Sequence, residues 1–128
     1  MKQWIQALTV ALTAVWLSGC VVAIGNDGDS RSDGSWQERE IDNRAAIEQL
    51  QPGMTYGQVR DWMPHQADFS ESFQADDTLY QVLFYRTQRV EADGRLTRDE
   101  TTPLVFADNF LIGWGEQIWF DITGRPLQ

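Results

Sequence analysis

Hydrophobic positions divide this chain into an apolar head, a polar neck and a periodic body. Trp4 to Leu17 is apolar except for Gln6, Thr9 and Thr13, and it follows a short start that carries Lys2. That is the layout of a secretory h-region. Gly25 to Ser35 then contains no apolar residue and has the composition of a solvated, flexible tether. Beyond it, Ala46, Ile47 and Leu50 recur at helical spacing, so a first helix is expected from an Asx N-cap at Asp42 or Asn43 to Gln51, stopped by Pro52-Gly53. A second helix follows at once. Thr55 and Gln58 form a capping box, and Val59, Trp62 and Met63 share one face until Pro64.

The remainder reads as strands. Ala67 to Phe73 alternates weakly, Leu79 to Val90 is a long run rich in aromatic and β-branched residues, and Pro103 to Ala107, Phe110 to Trp114 and Gln117 to Ile122 complete the expected sheet. Ala92 to Arg95 and Asp108-Asn109 read as turns, and Gly113 and Gly115 as a bulge or bend. The expected fold is α+β: two short helices in a hairpin, packed on one face of a small antiparallel sheet in two layers. Neither helix is long enough to be stable alone, so both need that sheet. Trp62 is expected to be buried between them.

Leu17-Ser18-Gly19-Cys20 is a lipobox, with cleavage expected between Gly19 and Cys20 and acylation on Cys20, the single cysteine. A bilayer-spanning signal anchor is the competing reading, because Trp4 to Gly25 holds 22 residues without a charge. Val21 in place of an aspartate after the cysteine points to the periplasmic face of the outer membrane, with inner-membrane retention as the alternative. The domain plan is residues 1–19 signal peptide, 20–35 lipidated cysteine and tether, and 36–128 folded domain.

Charge narrows the partners. All 19 acidic residues follow Cys20, whereas one of the ten basic residues, Lys2, precedes it, so the processed chain carries a formal charge of −10. Nucleic acid is excluded on that balance, and so is electrostatic attachment to anionic lipid. Acyl chains must hold the membrane. With Cys20 acylated no thiol remains for a disulfide, a metal or catalysis, and no cofactor and no small-molecule substrate are evident.

Candidate chemistry is sparse. Asp29, Asp33, Gly34 and Glu40 fall at positions 1, 5, 6 and 12 of a calcium loop, but Arg31 occupies position 3, where an oxygen ligand belongs. His65, the single histidine, follows the second helix with Asp61 and Asp68 nearby and is the one candidate general base; no serine elbow, phosphate loop or second histidine accompanies it. Asp76-Asp77 and Asp99-Glu100 are adjacent pairs in expected turns, and their side chains diverge. A partner surface is expected instead. If Ile118, Phe120 and Ile122 face the helices, Trp119 faces away; with Val82 and Phe84 inward, Tyr85 joins it on an open sheet face, with Trp114 available to either side.

Leu50 to Val59 resembles the helix-turn-helix signature of the SmpA/OmlA (BamE-like) lipoproteins, in which Gly-Met-Thr opens the second helix. Phe84-Tyr85-Arg86-Thr87-Gln88-Arg89, Thr102 to Phe106 and Leu111 to Gly115 resemble a family of short proteobacterial lipoproteins of unknown function with the same fold. Met63-Pro64-His65 departs from the Gly-x-Pro loop usual in BamE-like chains. The resemblance implies a tethered N-terminus, a helix pair on a small antiparallel sheet, and an accessory role in outer-membrane protein assembly through a periplasmic or outer-membrane protein partner. The helix-pair-on-sheet unit of β-lactamase-inhibitor proteins implies another function, capture of a soluble periplasmic enzyme.

Overall fold

A four-stranded antiparallel meander forms the centre of the structure, a computed structural model that describes residues 30–128. The signal segment, Gly19, Cys20, Asp29 and the start of the tether lie outside the described residues. Strands β1 (Phe69–Ala75), β2 (Thr78–Arg86), β3 (Thr101–Ala107) and β4 (Phe110–Trp114) lie side by side in sequence order. Helices α1 (Ser30–Ile47) and α2 (Tyr56–Trp62) precede them and α3 (Glu116–Thr123) follows. Both tight hairpins use two-residue turns with positive φ at each position, 50° and 64° at Asp76-Asp77 and 47° and 77° at Asp108-Asn109. That geometry matches the strands' right-handed twist, and Asp and Asn tolerate it better than most side chains.

Two cores sit on opposite faces of the sheet. Leu83, Tyr85, Leu104, Phe106 and Leu111 pack under Ala46 and Ile47 at the end of α1, Leu50 just after it, Val59 of α2 and Met63 at its C-cap. On the other face Val82, Phe84 and Val105 meet Trp119 of α3, flanked by Phe69, Phe73, Tyr80, Ile118 and Ile122. The α+β class and antiparallel sheet expected from the pattern are present, but the sheet is covered on both faces.

The reason is the segment Gln117 to Ile122, which is helical where alternation suggested a strand. Ile118 and Ile122 are four apart, so the same residues satisfy period 2 and a helical face, an ambiguity short apolar runs carry. Gly115 and Gly124 decide it. Gly115, at φ 102°, turns the chain into the helix, and Gly124, at φ 66°, ends it in the left-handed region with its N–H donating to Phe120 O at 2.7 Å. At Gly113 a Cβ would stand 2.9 Å from Ile118 Cδ1, so glycine there lets α3 lie close on the sheet. The irregularity falls one residue earlier than the glycines suggest: Val105 pairs with Gly113 and Phe106 with Leu111, leaving Ile112 as the extra residue.

Helix α1 begins at Ser30, 12 residues before the expected Asp42 cap, and takes in the last part of the tether. Its buried face is largely polar, which hid it from a hydrophobic reading. The capping box of α2 is present as read, Gln58 N donating to Thr55 Oγ1 and Thr55 N to Gln58 Oε1. Trp62 is not buried as expected: it is 46% exposed and donates its Nε1 to Ala46 O at 3.1 Å, lying across α1, while Val59 and Met63 point into the core. β2 stops at Arg86 instead of Val90, because the chain beyond it bends around Glu100, whose Oε1 accepts from Val90 N and Glu91 N.

Candidate functional site

The expected aromatic partner face is absent. Tyr85 is 1% exposed beneath the helix pair and Trp119 is 3% exposed against Phe84, ring centres 5.3 Å apart in an edge-to-face arrangement. Alternation correctly separated Val82 and Phe84 from Tyr85, but α3 covers the first set and the helix pair covers Tyr85. Trp114 is half-buried, packed against the core under the helix pair. These three residues do not come together as a surface.

A cleft of about 600 Å³ opens instead between α2, the loop Pro64 to Asp68 and the first residues of β1, with Leu83 and Tyr85 of β2 as its floor. Arg60 lies 5.7 Å from the Tyr56 ring centre and has no ion-pair partner among the described residues. His65 lines the same cleft, but its partner is neither Asp61 nor Asp68. Its Nε2 stands 3.0 Å from Asp42 Oδ2 and fastens the loop to α1. Asp68 is also occupied, accepting from Arg39 NH2 at 2.7 Å and from the Arg86 backbone N–H at 2.8 Å. Burial pushes the Tyr85 phenol up to about 12, against a smaller opposing pull from Arg60, so it stays protonated across the physiological range. Among the described residues the cleft therefore offers a neutral hydroxyl, an arginine without an ion-pair partner and the exposed Asp61, with Asp68 and His65 already engaged, which suits recognition better than proton transfer.

The cleft's end of the sheet is held by a buried polar network that sequence reading missed. Arg86 closes β2 with its Nε donating to Glu40 Oε1 at 2.8 Å and its NH2 4.0 Å from Glu100 Oε2. Asn43 donates to Arg86 O at 2.8 Å, and Trp36 stacks under the guanidinium, 4.4 Å from the ring centre. Trp36, Glu40, Asn43 and Ile47 are four, three and four residues apart, so one stripe of α1 reads the end of β2. Glu40 is thereby committed to Arg86 rather than to a calcium loop. An arginine directly after Leu83-Phe84-Tyr85 was the available signal, since a charge ending a buried strand requires partners. Among the described residues no group of three or more His, Cys, Asp or Glu side chains is placed to hold a metal ion, and no helix is long and apolar enough to cross a membrane.

These features define a small α+β domain in which an antiparallel meander is clamped between a helix pair and a terminal helix, with a cleft at one edge. Residues 18–120 match the family described as Protein of unknown function (DUF3192), and the chain belongs to that family. No curated protein and no solved structure matches it.

Proposed function

We propose that this protein is a lipid-anchored binding module of the cell envelope, held through acyl chains on Cys20 at the periplasmic face of the outer membrane. In this reading it is a noncatalytic accessory that engages a protein partner during envelope assembly. The cleft beside α2 carries the proposal: among the described residues Arg60 has no ion-pair partner, while Asp68 and His65 are engaged and Tyr85 is held neutral. The lipobox supports the address. The Thr55 capping box and the helix pair on one sheet face support a relationship to the SmpA/OmlA (BamE-like) lipoproteins. The inhibitor-like alternative, capture of a soluble periplasmic enzyme, shares this mechanism and differs in the partner.

Copurification from detergent-solubilised envelope tests the reading. A β-barrel assembly component should elute with the wild-type chain, and much less of it with Arg60→Glu at unchanged thermal stability. Elution of a soluble periplasmic enzyme alone, or the same yield from both chains, would contradict it.

A further inference from the structure

The two edges of the sheet are treated differently. The β4 edge is bulged at Ile112 and covered by the segment before α2: Tyr56 N donates to Asn109 O at 3.0 Å, Leu111 N to Met54 O at 2.8 Å, and Gly53 N to Leu111 O at 2.8 Å. Bulges and covering segments are the usual means of closing an edge. The β1 edge has neither. Phe69–Ala75 pairs with β2 in unbroken register over all seven residues and contains no Pro, Gly, Lys or Arg.

The hydrogen-bond phase fixes which groups this edge presents. Asp108 N donates to Leu79 O at 2.9 Å and Thr87 N to Glu100 O at 3.1 Å, so the odd-numbered residues of β2 bond toward β3. Its even-numbered residues, Tyr80, Val82 and Phe84, bond toward β1, and their partners Phe73, Glu71 and Phe69 bond back. Ser70, Ser72 and Gln74 lie between these and turn their N–H and C=O groups outward. None of the three has a backbone partner on that side among the described residues, and all three side chains are exposed. The cleft lies at the head of this row, since Asp68, Phe69 and Ser70 line it.

Resting on the binding-module reading, we propose that β1 accepts an extended segment of a partner protein as a fifth strand, the head of that segment entering the cleft. Two observations fix its chemistry. On the α3 face the new strand would lie beside the partly buried Phe69 and Phe73, and on the opposite face beside Ser70, Ser72 and Gln74, so it alternates apolar and polar residues. Glu71 is already paired with Arg98, whereas among the described residues neither Asp76-Asp77 at the far end of β1 nor Arg60 in the cleft has an ion-pair partner, so the segment carries a cation at its far end and a carboxylate at the head that enters the cleft. A second copy of this chain is the poorer occupant, because two domains of the same strong negative charge repel.

The test uses full-length protein in detergent micelles and a labelled synthetic peptide in which valine alternates with threonine, with lysine at the N-terminal end and glutamate at the C-terminal end, which antiparallel pairing sets beside Asp76-Asp77 and Arg60 respectively. Saturable binding is expected, weakened about tenfold when alternate peptide nitrogens are methylated. Ser72→Pro should weaken it to a similar degree with the fold intact, since the Ser72 N–H faces outward and proline is tolerated at such edge positions. The methylated peptide needs no variant and keeps the proposal testable if Ser72→Pro fails to fold. Equal affinity for both peptides, or no binding at about 1 mM, overturns the proposal. So does a concentration-dependent dimer that Ser72→Pro abolishes, which would make the occupant a second copy. If the peptide fails while copurification succeeds, the binding-module reading stands and the edge is the wrong surface.

Discussion

The Arg86 guanidinium carbon sits 4.4 Å from the centre of the Trp36 ring, while its Nε donates to Glu40 at 2.8 Å. Both contacts come from one stripe of α1, so a mostly polar helix is registered on the end of β2 by a single cation. Removing the side chain would leave Glu100, 1% exposed, without its nearby countercharge. Arg86→Leu should therefore cost about 3–5 kcal/mol in urea titration. Arg86→Lys should recover less than half, because an ammonium cannot stack on Trp36 and serve two carboxylates in the same geometry. A loss below about 1 kcal/mol would mean that α1 is not held here.

Two tryptophans exchange the roles that periodicity assigned. Trp119→Ala should cost about 3–5 kcal/mol, since the indole fills the core between α3 and Phe84. Trp62→Ala should cost about 1 kcal/mol, the worth of one partly exposed hydrogen bond to Ala46 O and modest burial. Thermal melts of both variants check the order, and a larger loss from Trp62 would reverse the assignment.

Local signals were the legible part of this fold. The Thr55 capping box, the Asp76-Asp77 and Asp108-Asn109 turns and the alternation of β2 each depend on neighbours within a few residues. What could not be read depends on distant partners. Helix α1 needs Arg86 and Asp68 to justify its Glu40, Asn43 and Arg39. Ile118 to Ile122 fits strand and helix alike, and the choice between them decides whether Trp119 and Tyr85 are surface or core. The cleft was legible in part: His65 was singled out, but Arg60 and the pairing with Asp42 were not.

Alkaline pH should find Tyr85. Its folded-state value is raised from 10.0 to about 12 by burial, so the unfolded chain releases this proton first. The associated stability is complete below pH about 10 and falls as pH rises toward about 12, by about 2–3 kcal/mol. Tyr85→Phe should flatten that alkaline limb in denaturant titrations taken across the range. An identical limb in both proteins would show that the phenol ionises freely in the folded state.

Anchoring is expected to depend on Cys20 alone. Wild-type protein should incorporate labelled palmitate and have the intact mass of a chain beginning at Cys20, whereas Cys20→Ala should remain as the full 128-residue precursor. Absence of label, or a mass unchanged by the substitution, favours the signal anchor.

Amide hydrogen exchange on the full-length protein in micelles tests the central claim, a binding module that presents one unpaired sheet edge, most directly. The N–H groups of Ser70, Ser72 and Gln74 should exchange far faster than that of Leu111, which donates to Met54 O across the covered edge, and should slow when the alternating valine and threonine peptide is added. Protection of all four amides to the same degree in the isolated protein, or no change on adding the peptide, would contradict it.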